Sequence, residues 1–399
     1  MQYNFDQYIE RHGSDSGKWG AYDEDVLPMW VADMDFVSPE PVLRALHERV
    51  EHGIFGYPSG ISEDVKHTIE IRLALVERMQ RLYGWHIQPE DIVFVPGVVV
   101  GFNLACHTLA MSDGAALVQP PVYYPFLHAP QNAGMLRQEA ELSLRPDGHY
   151  EIDFDAFQAA INDQTRLFIL CNPHNPVGRV FRPDELSRMA EICLRRGVVI
   201  CSDEIHCDLV YQGYQHVPIA SLDAEIAQQT ITLMAPSKTF NIPGLQFSFA
   251  IIQNKELRKR YQHSGKGLVG WINIMGWVAA LAAYQHGQEW LNQLLLYLQS
   301  NRDYLYDYVQ AELPGIRMVK PEATYLAWLD CRAAEVELAR NSPYKFFLER
   351  ARLALNDGAV FGKGGEGFVR LNFGCPRSTL AEALRRMKSA LIETNSSGQ

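Results

Sequence analysis

Between about Asp91 and Gln253, short apolar runs alternate with longer amphipathic stretches: Ile92-Val93-Phe94-Val95, a helical stretch through Ala110, then Ala115-Ala116-Leu117-Val118. A strand buried on both faces reads as a brief continuous apolar run, and a crossover helix as a longer periodic one. The alternation therefore predicts an α/β fold, a large domain with a mostly parallel sheet flanked by helices. Arg166-Leu167-Phe168-Ile169-Leu170, Val198-Val199-Ile200 and Ile231-Thr232-Leu233-Met234-Ala235 add strands to the series. Between them, Arg182-Pro183-Asp184-Glu185-Leu186 opens a helix whose apolar face is Leu186, Met189, Ile192 and Cys193, and Gly197 ends it. A further strand is expected from Gly244 to Ile252 and a long helix from Glu289 to Leu313. At 399 residues the chain exceeds a single core, so residues 46–285 are assigned to the large domain. Residues 286–399, with strands around Tyr325–Leu329 and Phe368–Leu371, form a smaller α+β domain.

Open sheets of this kind gather ligands at the carboxyl ends of their strands. The polar residues that close the apolar runs are therefore the functional candidates. Cys201-Ser202-Asp203-Glu204-Ile205-His206 places Asp203 at such an end. A carboxylate beside a pyridine nitrogen keeps it protonated, and the ring can then take the electron pair left when a bond to a substrate's α-carbon breaks. Cys171-Asn172-Pro173-His174-Asn175-Pro176-Val177-Gly178 follows another strand and brings the amide of Asn175, suited to a ring hydroxyl, in a turn fixed by two prolines. Ser237-Lys238-Thr239-Phe240-Asn241-Ile242-Pro243-Gly244 carries a lysine from a strand end into a Gly/Pro-bounded turn, where an aldehyde cofactor would be captured. Most lysines are solvated surface charges; the two upstream motifs are what set Lys238 apart.

Taken in order, Asn175-Pro176-Val177-Gly178, Ser202-Asp203-Glu204-Ile205-His206, Ser237-Lys238 and the late Arg370 resemble the fold type I pyridoxal 5′-phosphate (PLP) enzymes of the class I/II aminotransferase family, over most of the chain. Within that family, three longer strings are similar to the carbon–sulfur lyase branch, the cystathionine β-lyase relatives: Trp30-Val31-Ala32-Asp33-Met34-Asp35-Phe36, Ala235 to Ile242, and Arg370-Leu371-Asn372-Phe373-Gly374-Cys375-Pro376. The resemblance implies PLP carried on Lys238, which is also the catalytic base, with Asp203 at the ring nitrogen and His206 next to the ring. It places Tyr123 over the ring face, with Tyr124 as the competing assignment. Gly97, Val98 and Val99 would offer helix-start N–H groups to the cofactor phosphate, and Ser237 a hydroxyl. Arg370 would hold the substrate's α-carboxylate through a planar fork. Tyr57 would reach the phosphate of a neighbouring subunit, which implies a homodimer with shared active sites, and residues 1–45 would join the small domain. Relatives often carry an arginine several residues beyond the lysine; Gln246 stands here instead, which leaves open what neutralises the phosphate.

The activity implied by the branch strings is β-elimination of cystathionine or a related cysteine S-conjugate to thiol, pyruvate and ammonia. Two alternatives stay open: an aminotransferase acting on an α-amino acid through the same lysine, and a non-catalytic regulatory or binding protein on the same scaffold. A formal net charge of −11 without a long basic stretch argues against nucleic acid and anionic membrane surfaces as partners; a small amino-acid substrate is what the resemblance implies. No apolar run approaches a membrane span and the amino terminus lacks a leader pattern, so a cytoplasmic protein is expected. The seven cysteines are scattered and include no Cys-x-x-Cys, which points to buried small residues rather than a disulfide framework or a metal site.

Overall fold

The computed structural model describes residues 2–58 and 66–397. Seven strands make the central sheet: β1 (Ile92–Val95), β2 (Ala115–Val118), β3 (Leu136–Glu139), β4 (Thr165–Cys171), β5 (Val199–Asp203), β6 (Thr230–Met234) and β7 (Ser248–Ile251). Their spatial order is β1-β7-β6-β5-β4-β2-β3. The neighbours from β6 through β3 run parallel, and β7 alone is antiparallel to both strands beside it. Strands β4, β5 and β6 lie in the middle and are almost wholly buried, which is why they read as apolar runs without alternation.

Successive side chains of β4 divide between two cores, as the pleat requires. Ile169 and Cys171 face the helix Val98–Leu109, where Phe102, Ala105 and Cys106 pack over Cys201, Ile231 and Leu233. Phe168 and Leu170 face the other layer, with Phe157, Leu186, Met189 and Cys193. Gly101 lets the first helix lie close on the sheet, since a Cβ there would stand 2.8 Å from Leu233. The helix Pro183–Arg195 buries the apolar face expected of it. It ends as a Schellman turn: Gly197, at φ 64°, donates its N–H to Leu194, and Val198 donates to Cys193.

The strand expected from Gly244 is shorter than the sequence suggests. Pro243–Leu245 forms a 3₁₀ turn and Gln246 takes a left-handed conformation at φ 50°, so pairing starts only at Ser248. The cause is topological: β7 runs against β6, and the chain must reverse before it can pair, while Pro243 has no N–H to give a ladder.

Beyond the helix Gln288–Glu312, three strands form a small antiparallel sheet: β8 (Leu326–Asp330), β9 (Asn356–Asp357) and β10 (Phe368–Asn372), in the order β8-β10-β9. The amino-terminal segment packs on it. Leu27–Pro28 pairs with Leu353–Ala354, and Met29, Met34 and Phe36 share a core with Leu326, Leu371 and Phe373. All seven cysteines are buried and free. Among the described residues no helix is long and apolar enough to cross a membrane.

Candidate active site

The carboxyl ends of β4, β5 and β6 open into one cavity of about 420 Å³. Each strand is followed by one of the polar motifs: Asn175 after β4, Asp203 and His206 at and after β5, Ser237 and Lys238 after β6. Gly97, Val98, Val99, Tyr123, Tyr124, Gln246 and Arg370 complete that wall together with Trp30, Val31 and Ala32. Of the residues singled out in the sequence, Tyr57 alone lies elsewhere; its ring is 78% exposed and meets Trp271 edge-on at 5.2 Å.

Lys238 does not sit in an irregular turn. Pro236–Thr239 forms one helical turn, because Pro236 enters at a position that needs no N–H donor. The turn is fixed behind the site by Thr239, whose hydroxyl donates to Asp208 at 2.9 Å, and Asp208 pairs with buried Arg78. Lys238 Nζ donates to the carbonyl oxygen of Ala32 at 2.6 Å. Burial disfavours its ammonium form and Arg370 adds to this, so its pKa falls to about 8 although Asp33 and Asp203 pull the other way.

Asp203 is buried, and burial pushes its carboxyl up to about 7; the Ile205 N–H, donating at 3.0 Å, and Lys238 oppose that rise. His206 is held neutral by burial, with Lys238 and Arg370 adding to the effect, and its pKa falls to about 3. Its buried Nδ1 has no hydrogen-bond partner among the described residues. Arg370 is also buried, which lowers its pKa to about 10, so it remains a cation near neutral pH. One arm of its fork donates to Asn175 Oδ1 at 3.0 Å, and the other to the Trp30 carbonyl at 2.9 Å and to Asn356. With Asn175 Oδ1 accepting from Arg370, the NH₂ of that amide is the group left to donate. Tyr123 is held as a neutral phenol, its pKa raised to about 12 chiefly by burial; its ring lies 5.1 Å from that of the more exposed Tyr124.

The helix Val98–Leu109 starts after Gly97, φ 123°, with no side-chain cap, and Val98 and Val99 line the cavity at that end. The N–H of Gly97 itself, expected from the sequence to serve a phosphate, instead donates to the Val95 carbonyl at 2.9 Å and to the Ser248 hydroxyl at 3.0 Å. These features fit an anionic pyridine cofactor: helix-start N–H donors and a hydroxyl for a phosphate, a buried carboxylate for a ring nitrogen, and a lysine amine for an aldehyde, all lining one cavity. PLP's ring nitrogen would supply the missing proton partner for Asp203.

Sequence reasoning missed the contribution of the chain's own backbone. Carbonyls of Trp30 and Ala32 touch the two site cations, and Tyr325 donates to Ala32 as well, at 2.7 Å. Carbonyls leave no residue-type signal. Asn356 and Asn372 did leave one, as polar residues within or beside apolar strand runs.

A doubly wound sheet with lysine, carboxylate and arginine converging at its strand ends defines an α/β enzyme built around a bound cofactor. The chain belongs to the family Aminotransferase class I and II, whose sequence model matches residues 33–387. It is 42% identical to cystathionine beta-lyase PatB of Bacillus subtilis, over 97% of this chain and 100% of that one. The crystal structure of cystalysin from Treponema denticola, which contains pyridoxal 5′-phosphate, superposes with a TM-score of 0.92 at 32% identity, covering 98% of this chain and 100% of that one. The PLP-bound C–S lyase from Staphylococcus hominis gives a TM-score of 0.90 at 35% identity, covering 98% and 99%.

Proposed function

We propose that this chain is a PLP-dependent carbon–sulfur lyase, cleaving cystathionine or a related cysteine S-conjugate by β-elimination to thiol, pyruvate and ammonia. The observation that carries the reading is the convergence of Lys238, Asp203 and Arg370 on one cavity, in a chain 42% identical to a cystathionine beta-lyase along its length.

Bound PLP supplies an electron sink for the pair left on the substrate's α-carbon. Lys238 would anchor the cofactor through its amine, and the same amine, when free, would be the base for the substrate's α-proton. Its pKa of about 8 leaves part of it neutral near physiological pH, where an ordinary lysine at 10.5 would be almost wholly protonated. Asp203 would keep the ring nitrogen protonated. Asn175 would offer its amide NH₂ to the ring hydroxyl, Tyr123 would offer its ring to one face, and neutral His206 would line the same cavity without adding charge. The N–H groups of Val98 and Val99 and the Ser237 hydroxyl would hold the phosphate, whereas the N–H of Gly97 is already given to the Val95 carbonyl and the Ser248 hydroxyl. Arg370 would take the α-carboxylate on its guanidinium, orienting the α-hydrogen toward Lys238 so that proton removal can be followed by loss of a thiolate from the β-carbon.

The reading includes a cytoplasmic homodimer. Tyr57, Trp271, Ile54 and Phe55 are all exposed, at 78%, 61%, 65% and 59%, on a chain whose cavity-lining Val99 is itself 41% exposed. A second copy would cover this apolar surface and bring its Tyr57 to the phosphate, where Gln246 supplies no charge. Residues 1–45 and 286–399 form the small domain and 46–285 the large one in this reading.

Incubating the purified holoenzyme with cystathionine and no keto acid tests the activity. Pyruvate and thiol should form in equal amounts. Turnover strictly dependent on an added keto acid would instead make the chain an aminotransferase.

A further inference from the structure

The segment Trp30–Asp35 forms a strap whose first three residues line the cavity, and the carbonyls of Trp30 to Asp33 alternate between two sets of partners. Those of Trp30 and Ala32 meet the site cations, accepting from Arg370 at 2.9 Å and from Lys238 at 2.6 Å. The interleaved carbonyls of Val31 and Asp33 both accept from one group, the side-chain NH₂ of Asn372, each at 2.6 Å. Asn372 is 1% exposed and stands two residues after Arg370 on β10, so the two share one face of that strand. Its Oδ1 accepts the N–H of Gly374 at 2.8 Å, which fixes the amide's orientation.

The far end of the strap is anchored separately. Asn241, three residues after Lys238, accepts the Met34 N–H at 3.0 Å and donates to the carbonyls of Met34 and Phe36 at 2.9 and 2.8 Å. Behind it, Lys18, Arg11 and Trp19 hold Asp35 at 2.6, 2.5 and 2.9 Å, and Arg11 holds Asp33 at 2.9 Å. The strap is thus tied to the lysine loop at one end and to the arginine strand along its middle. The Asn372 clamp turns the Val31 and Asp33 carbonyls away from the two cations, and Tyr325, donating to the Ala32 carbonyl at 2.7 Å, supports the same alternation from the other side.

We propose that Asn372 is a positioning residue: by holding the Val31 and Asp33 carbonyls it aims the Ala32 carbonyl at Lys238, giving the lysine amine a fixed docking point whenever it is not bound to cofactor. The inference rests on the reading of Lys238 as anchor and base. The amine released by substrate would otherwise sample many rotamers of a long side chain, and proton transfer needs it at one place. Ala32 O keeps it oriented by accepting one N–H, which leaves the amine lone pair available.

The test uses the full-length protein in two ways. Backbone hydrogen exchange by mass spectrometry follows the peptide spanning the strap, with and without PLP. In the wild type, the amides of Met34 and Asp35 should be protected in both states; exchange at unfolded rates without PLP would overturn the proposal even if no variant folds. In Asn372→Ala, and in Asn372→Asp, which keeps the volume and the acceptor for Gly374 but loses the NH₂ donor, strap exchange should rise at least about tenfold. The second readout is exchange of the α-hydrogen of L-alanine in heavy water, a step common to lyases and aminotransferases, so a failed cystathionine assay leaves it interpretable. The variants should lose about ten- to a hundredfold in the maximal exchange rate, with half-saturation by alanine changed less than about threefold. A wild-type exchange rate in a folded variant, or a loss confined to half-saturation, would overturn the proposal.

Discussion

Arg370 Nη1 and Asn175 Oδ1 lie 3.0 Å apart, joining a strand of the small sheet to the turn that follows β4 of the large one. The contact couples the group proposed to hold substrate to the group proposed to hold the cofactor ring. It also fixes the guanidinium plane, because the second arm is held by the Trp30 carbonyl and by Asn356.

Arg370→Lys keeps the charge and loses the fork. A charge-assisted bidentate contact contributes roughly 1.5–3 kcal/mol, so substrate capture should weaken by about ten- to a hundredfold with cofactor affinity nearly intact. Titrating the variant separately with PLP and with substrate checks this. Lost PLP affinity with normal substrate dependence would reassign Arg370 to the phosphate, offsetting Gln246.

Lys238 should titrate well below the ordinary lysine value of 10.5 when the cofactor is absent. Burial and Arg370 both disfavour the ammonium, so the amine loses its proton earlier as pH rises, with a midpoint at about 8. The pH dependence of acylation by an amine reagent, read by peptide mass spectrometry, gives that midpoint, and Arg370→Leu should move it upward by removing a neighbouring cation. A midpoint near the ordinary 10.5 would show the amine to be solvated.

Asp203 stores an electrostatic cost in the cofactor-free protein. Its carboxyl rises from 3.8 unfolded to about 7 folded, so the folded state binds the proton more tightly and stability declines as pH rises between those values. Asp203→Asn should therefore stabilise the cofactor-free chain above pH 7, by up to about 4 kcal/mol, and change it little near pH 4. The same variant should lose turnover. Thermal unfolding at the two pH values makes the comparison; equal effects at both would mean that Asp203 is ionised without cost.

The parts of the fold legible in the sequence were those where burial imposes a pattern. Ile92–Val95 and Ala115–Val118 are strands at the limits their apolar runs suggest, and the face of Leu186, Met189, Ile192 and Cys193 is buried as its spacing requires. Gly244–Leu245 misled because apolar content there reflects a turn beside the site rather than a ladder. The cavity was legible through Lys238, Asp203, Asn175 and Arg370, the side chains proposed to carry the chemistry, all of which line it. What stayed hidden was geometry made by backbone: the Ala32 and Trp30 carbonyls could belong to any residue type. Asn372 was recoverable in principle, as a polar residue at strand spacing from Arg370 inside Phe368-Val369-Arg370-Leu371-Asn372. Tyr57 does not meet its own chain's cavity, so its assigned role rests on a contact that one chain cannot supply.

The central claim is that one lysine, Lys238, carries the cofactor in the cavity at the ends of β4, β5 and β6. Borohydride reduction of the PLP-loaded protein, followed by proteolysis and peptide mapping, fixes the cofactor to whichever amine holds it. The label should appear on Lys238, with Lys238→Ala showing neither label nor visible absorbance while remaining folded. A label on any other lysine, or an unchanged absorbance in Lys238→Ala, would contradict the account.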